Sequence, residues 1–183
     1  AFKGGKRPNS LSTTNAGKLC TPLGACLAFK GVEGAVPSLH GSQGCATYMR
    51  RYIISHYNEP IDIASSSLSE KHAVYGGGPN LKLGLTNVAA KYRPQLIGIA
   101  TTCLTETIGD DVRMYLHQYA EDTKGSVGLP TMVHVSTPSY AGTHMEGFHA
   151  AIREVVAQLS EGGPRTGTIN ILPGFVSSAD YRL

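Results

Sequence analysis

The stretch LIGIATT, residues 96–102, is the part of this 183-residue sequence that indicates its fold most directly. It contains no charged side chain, and its apolar residues occupy both faces of an extended chain instead of alternating with polar ones. A strand has this composition when helices cover both of its faces, which is typical of parallel sheets. We therefore predict that residues 96–102 form a central parallel strand.

Short apolar runs alternate with helical stretches on both sides of this strand, and the connections between them are short. Such alternation is typical of a parallel sheet with helices packed on both faces. The sequence therefore predicts an α/β, three-layer, Rossmann-like domain. The predicted strands are 35–40, 61–67, 96–102, 132–138 and 168–174, and the predicted helices are 22–31, 41–57, 80–92, 105–121 and 144–159.

The chain divides into an arm and a domain. Residues 1–18 are rich in Gly, Lys, Ser, Thr and Asn, which predicts an extended N-terminal arm. Residues 19–183 are long enough to bury a core of their own. The last residues, SSADYRL, resemble a connection to a following domain, so we expect residues 19–183 to be the first of several domains in a longer parent chain.

Composition narrows the classes of partner. The formal net charge of +3 is scattered along the chain and gives no support for nucleic-acid binding. Charged residues make up only 16% of the sequence, which suggests that much of the surface faces protein. No run of 18 apolar residues is present, so we expect no membrane span. The 4 cysteines are far apart and include no CxxC pair, which favours reduced thiols in a cytoplasmic protein.

Reactive side chains follow the predicted strands at their carboxyl ends, where open α/β sheets bind ligands. Cys103 and Ser139 each come directly after a predicted strand. Cys45 lies in the first turn of a predicted helix, and Cys20 precedes the first helix. A helix N-terminus lowers the pKa of a nearby thiol and favours the thiolate, which is the form that binds iron. These residues predict a metal site at one edge of the sheet.

Two alternative roles for these cysteines stay open from the residues alone. A cysteine in a globular domain often serves as a small buried apolar side chain, as we predict for Cys26 inside an apolar helix. Zinc also binds thiolates, although widely spaced cysteines give it no support. Gly41 and Gly44, beside Cys45, would let the backbone approach a bulky group closely.

The remaining motifs are explained by structural roles and not by catalysis or ligand binding. The glycine run at 76–79 lacks the lysine and the preceding strand of a phosphate loop, and no GxSxG is present. Asp110 and Asp111 fall at the start of a predicted helix, where we expect them to act as caps. The seven histidines form no recognisable metal set. His134, within a predicted strand, is expected to be a structural histidine with satisfied hydrogen bonds.

Four segments together resemble one family: CTPLGA (20–25), HGSQGC (40–45), TTCLTETIGDD (101–111) and STPSY (136–140). They resemble the β-type chains of nitrogenase component 1 and their relatives. Cys45 follows Cys20 by 25 residues (45 − 20), and Cys103 follows Cys45 by 58 (103 − 45). These are the separations expected between the three cluster-binding cysteines of that family. The segments at 50–60, 65–77 and 80–92 are also similar to family sequences.

The resemblance implies a role in electron transfer. Cys20, Cys45 and Cys103 would ligate an iron–sulfur cluster, either eight-iron and P-cluster-like or [4Fe-4S], shared with an α-type partner chain in an α2β2 heterotetramer. Ser139 matches the family serine that can also ligate this cluster. Electrons would arrive from an ATP-dependent iron protein, which docks near the loop around Tyr75. They would pass to a metallocofactor held by the partner, so this chain would itself carry no catalytic residue.

Two functions are compatible with the resemblance. The first is the β-type subunit of a nitrogenase-like oxidoreductase. The second is a subunit of the scaffold on which the iron–molybdenum cofactor is assembled. The sequence of residues 24–56 resembles scaffold chains or nitrogenase-like reductases more than it resembles the nitrogenase β chain itself. Retention of all three cysteines favours the reductase. A non-catalytic fragment without a cluster is the third alternative.

Overall fold

A parallel sheet lies at the centre of the computed structural model, which describes residues 18–126, 128–164 and 167–168. Within these residues the strand order is β2-β1-β3-β4, and all pairs are parallel. All residues of β3 are buried, and it lies between β1 and β4, so the prediction of a central parallel strand is confirmed. The strands are β1 (Ala35–His40), β2 (Ala64–Ser65), β3 (Leu96–Thr101) and β4 (Thr131–Val135).

Helices cover both faces of this sheet, which confirms the three-layer α/β class. On β3, Ile97 and Ile99 face a core formed with α4 and α6 (bounds below), while Leu96 and Ala100 face the core formed with α1, α2 and α7. Alternate residues of a strand point to opposite faces, so one apolar strand supplies both cores. The helices are α1 (Thr21–Lys30), α2 (Gln43–Tyr57), α3 (Glu70–Tyr75), α4 (Gly78–Tyr92), α5 (Cys103–Ile108), α6 (Val112–Asp122) and α7 (His144–Leu159), with a 3₁₀ turn at Ser139–Ala141.

The packing of α1 against α7 depends on two glycines. The buried residues of α7 are Gly147 and Ala151, while Phe148, Ile152 and Val155 are partly buried against the core and Val156 is 43% exposed. A Cβ at Gly24 would overlap the carbonyl oxygen of His144, and one at Gly147 would overlap that of Thr21. The two helices therefore touch backbone to backbone, which only glycine permits at these positions.

Two element boundaries were predicted wrongly. The predicted helix 105–121 is two helices, because Gly109 adopts a left-handed conformation (φ 74°) that ends α5. The predicted strand 61–67 pairs only at Ala64–Ser65, and the six-residue helix α3 was not predicted. The predicted strand 168–174 lies almost wholly outside the described residues, as does the predicted arm 1–18. Among the helices that are described, none is long and apolar enough to cross a membrane.

Candidate functional site

The carboxyl ends of β1, β3 and β4 lie side by side and lead into the candidate site. β1 pairs with β3 in register from Ala35–Leu96 to His40–Thr101, so both strands end at the same level. Just beyond these ends, Cys45 is the third residue of α2 and Cys103 the first residue of α5. Cys20 is the N-cap residue of α1. The structure thus places all three cysteines at helix N-termini.

The three thiols are close enough to interact electrostatically. Burial raises the pKa of the Cys20 thiol, and negative charge on Cys45 and Cys103 raises it further. Burial also raises the pKa of Cys45, with a second contribution from Cys103. The lowered thiol pKa predicted for the helix N-terminus is therefore wrong for Cys45, because desolvation outweighs the backbone hydrogen bond that favours the thiolate.

These properties decide what kind of group the cysteines suit. Like-charged thiolates in a partly buried site require a compensating positive charge, as iron provides when it binds thiolate. Within the described residues, no three His, Cys, Asp or Glu side chains converge on the position of a single metal ion. A mononuclear zinc site is therefore not supported among these residues. The donor set fits a multi-iron cluster, whose several irons take ligands that need not meet at one point.

An apolar groove adjoins the thiols. Cys20 and Cys45 line it together with Met49, Tyr48 and Tyr52, and its walls expose no polar surface. Tyr48 is 63% exposed and Tyr52 is 56% exposed, whereas Ile53 on the same helix is buried. The groove can exclude water from one side of a group bound at the thiols, provided that another surface covers it.

Ser139 lies at the same edge, in the 3₁₀ turn after β4, and is half-buried. The Thr21 hydroxyl donates to the carbonyl of Pro138 (3.3 Å), and the His144 N–H donates to the carbonyl of Leu19 (2.9 Å). The first bond ties the segment that carries Cys20 to the turn that carries Ser139, and the second ties it to the start of α7. By contrast Cys26 is fully buried in the core, as predicted.

Buried threonines join the ends of the strands. Thr105 Oγ1 donates to the carbonyl of His40 (3.0 Å), and the Thr102 N–H donates to the same oxygen (3.1 Å). A Cβ at Gly41 would overlap the Thr102 side chain, so Gly41 makes room for threonine and not for a ligand. Gly44 does face open space, since a Cβ there would meet nothing within 4 Å.

Beneath this edge lies a network that the sequence did not reveal. His40 Nε2 lies 3.1 Å from Asp110 Oδ2, and His40 Nδ1 lies 2.9 Å from Ser66 Oγ. The predicted capping role is therefore wrong for Asp110. It is confirmed for Asp111, whose carboxylate accepts from the Met114 N–H at the start of α6. No motif links residues so far apart in sequence.

His134 also differs from expectation. Its Nε2 is buried and has no hydrogen-bond partner in the described part of the chain, so the predicted satisfaction of its hydrogen bonds is not seen there. Burial, aided by the positive charge of Arg113, lowers its pKa to about 4. The ring is therefore neutral at neutral pH.

Together, the parallel α/β sheet and the three thiols at its carboxyl edge define a Rossmann-like domain with three cysteines at one edge of the sheet. The sequence model of the family described as "Nitrogenase component 1 type Oxidoreductase" matches residues 20–183, and the chain belongs to this family. The resemblance inferred from the four sequence segments is thereby confirmed.

Individual relatives agree with the family match. The nitrogenase molybdenum-iron protein beta chain of Clostridium pasteurianum is 41% identical over 169 residues, covering 92% of this chain and 37% of that protein. The chain of the same name from Methanothermobacter marburgensis is 40% identical over 167 residues, covering 89% and 36%. The solved structure "Nitrogenase Cp1 at pH 6.5" matches with a TM-score of 0.80 at 37% identity, covering 100% of this chain and 38% of that one. The chain thus spans little more than a third of these relatives.

Proposed function

We propose that this chain is the cluster-binding domain of a β-type subunit of nitrogenase component 1. Cys20, Cys45 and Cys103 ligate an iron–sulfur cluster at the interface with an α-type chain, and Ser139 is a further ligand. The observation that carries the proposal is the position of three cysteines at helix N-termini along one sheet edge, in a chain about 40% identical to molybdenum-iron protein beta chains.

The cluster would supply one-electron redox steps at this edge. The chain's own residues hold and orient it. Cys45 and Cys103 are fixed by the first turns of α2 and α5, and Cys20 by the N-cap of α1. The apolar groove beside Tyr48 and Tyr52 excludes water on one side. With a cluster bound by these cysteines, this edge would relay electrons towards a metallocofactor held by the partner, where substrate would be reduced.

Exposed residues support the assignment of partners. Cys103 is exposed and Tyr48 and Tyr52 flank an open apolar groove, so the site is completed when an α-type chain covers it in an α2β2 heterotetramer. Tyr75, at the end of α3, is 86% exposed and offers an aromatic side chain to the docking iron protein. The length of the relatives supports residues 19–183 as the first of several domains in a cytoplasmic parent subunit.

The cofactor-assembly scaffold is the second candidate function. Its support is the sequence resemblance over residues 24–56. The relatives described above are molybdenum-iron protein beta chains, and all three candidate cysteines are present, which favours the electron-relay subunit over a scaffold with a simpler four-iron cluster.

The test uses the full-length subunit purified with its α-type partner. We expect iron and an EPR signal of a reduced iron–sulfur cluster in this complex. Cys45→Ala removes a ligand and is expected to abolish the signal and most of the β-side cluster iron. Cys26→Ala is the matched control, because it makes the same substitution at a cysteine that is buried in the core. This variant should retain the signal and the iron. A complex without iron, or unchanged iron in Cys45→Ala, contradicts the proposal.

A further inference from the structure

We propose that the buried His40–Asp110 pair is a positioning device that couples the exposed Tyr75 segment (residues 70–77) to the loops that carry Cys45 and Cys103. This inference rests on the proposed function only in the roles of the two surfaces that it joins, which are iron-protein docking at Tyr75 and cluster binding at Cys45 and Cys103. The coupling itself is a property of the hydrogen-bonded network formed by Ser66, His40, Asp110, Gly77 and Tyr115, here called the His40 network.

Every polar group of the His40 network has a definite role. The Asp110 carboxylate accepts, so His40 Nε2 carries the proton and donates to it over 3.1 Å. His40 Nδ1 then accepts from the Ser66 hydroxyl (2.9 Å), and Ser66 Oγ accepts from the Gly41 N–H (3.0 Å). Burial lowers the pKa of His40, although the Asp110 carboxylate opposes this shift, and the neutral ring is the form that fits this pattern of donors.

The Asp110 carboxylate is held by donors from three segments. It accepts from His40, from the Gly77 N–H (3.0 Å to Oδ2) and from the Tyr115 hydroxyl (3.3 Å to Oδ1). Gly77 is the N-cap residue of the 15-residue helix α4, so the carboxylate also faces the positive end of that helix dipole. The side chain of Asp110 is only 4% exposed, and that of His40 is fully buried. Loss of any partner would leave a buried polar group unsatisfied.

The position of each member explains why the network couples two surfaces. His40 ends β1 five residues before Cys45, and its carbonyl accepts from Thr102 and Thr105 around the start of α5. Asp110 follows α5, which begins at Cys103. A shift of His40 or Asp110 therefore displaces both cysteine-bearing loops.

The other end of the network holds the Tyr75 segment. Gly77 comes two residues after Tyr75, whose side chain is 86% exposed, next to Val74 at 77%. There is no space at Gly77 for adjustment, since a Cβ there would lie 2.6 Å from Asp110 Oδ2 and 2.8 Å from His40 Cε1. A protein that presses on Tyr75 thus acts on backbone that is packed directly against His40 and Asp110.

A Ser–His–Asp set also occurs in hydrolases, but this one cannot act as a nucleophilic triad. Ser66 is 4% exposed, and its hydroxyl donates to His40 Nδ1 while accepting from the Gly41 N–H. The hydroxyl is buried, and the acceptors within its reach are His40 Nδ1 and the Gly41 carbonyl (3.5 Å). The chemistry of the network is hydrogen bonding between segments.

The experiment compares Asp110→Asn with Asp111→Asn in the full-length subunit bound to its α-type partner. Asp110→Asn removes the charge that His40, Gly77 and Tyr115 share, and it replaces one acceptor oxygen by an NH2 donor, so the Tyr115 hydroxyl has to change from donor to acceptor. Amide hydrogen exchange is expected to become about tenfold faster in residues 70–78, 41–45 and 103–108, which corresponds to about 1.4 kcal/mol of local stability. The midpoint potential of the cluster is expected to shift. Asp111→Asn keeps the helix cap and is expected to change neither quantity.

A milder variant protects the test against misfolding. Tyr115→Phe removes one donor to Asp110 and is expected to shift exchange and potential in the same direction by a smaller amount. Faster exchange confined to residues 70–78, with both cysteine loops and the potential unchanged, overturns the coupling, and so does wild-type behaviour of Asp110→Asn. Iron-free wild-type complex overturns the proposed function instead, and the exchange data alone then decide the coupling.

Discussion

Two polar regions adjoin the same sheet edge, and they differ in whether their partners lie within the chain. The His40 network is buried, and its members satisfy one another from four separate segments. The thiols of Cys20, Cys45 and Cys103 are half-buried or exposed, repel one another as thiolates and adjoin an open apolar groove. The comparison separates a region whose hydrogen bonds stabilise the domain from one that we propose binds an external group.

The largest effect on the unfolding free energy is expected when the His40 network loses the Asp110 carboxylate. Asp110→Ala leaves the His40 and Gly77 donors buried without an acceptor, which should cost about 3 kcal/mol of unfolding free energy. Asp122→Ala removes an exposed pair with Lys82 (2.8 Å) and should cost no more than about 1 kcal/mol. Urea unfolding of the full-length subunit measures both values. Equal losses in the two variants would remove the distinction between buried and exposed pairs.

A second pair of variants tests two glycines, Gly147, which lies against Thr21 next to Cys20, and Gly44, which precedes Cys45. Gly147→Ala places a Cβ against the carbonyl of Thr21, beside Cys20, and is expected to destabilise by about 1–3 kcal/mol. Gly44→Ala places one in open space next to Cys45 within α2 and is expected to be neutral or to stabilise by up to about 1 kcal/mol. Thermal unfolding ranks the two variants, and the opposite order would contradict the contact between α1 and α7.

The third prediction concerns acid. Burial lowers the pKa of His134 to about 4, and it also lowers the pKa of His40. Between about pH 4 and about pH 6.5 the folded chain therefore binds fewer protons than the unfolded chain. The stabilisation is complete above about pH 6.5 and declines as the pH falls towards 4. His134→Gln should flatten this decline in unfolding free energy, whereas substitution of exposed His117 by Gln should not. Parallel curves for wild type and His134→Gln would show that His134 does not contribute.

The smallest effect on stability is expected at Tyr75, the proposed docking surface. Tyr75→Ala removes a side chain that is 86% exposed, so the unfolding free energy should change by no more than about 0.5 kcal/mol. The rate of electron transfer from the iron protein should nevertheless fall, because an aromatic contact is lost. Stopped-flow measurement of that rate checks the prediction. A wild-type rate would assign docking to another surface.

Most of the layer order and the location of the candidate ligands could be predicted from the sequence. Strand 35–40 and helix 144–159 have the predicted bounds, because period-2 and period-3.6 patterns are local. The spacing of the cysteines identified the family, although their role remains a proposal. The division at Gly109 was missed because a single left-handed glycine inside an apparently helical pattern carries little signal.

What the sequence determined by itself is therefore the alternation of strands and helices, the placement of Cys45 and Cys103 at the turns where strands end, and that of Cys20 just before the first helix. Only the tertiary structure brought His40 to Asp110, 70 residues away, and pressed Gly24 and Gly147 against opposite backbones. The physical reason is that helix and strand periodicity acts between near neighbours in sequence. Hydrogen bonds between segments and backbone contacts depend on how the layers pack, which no local pattern records.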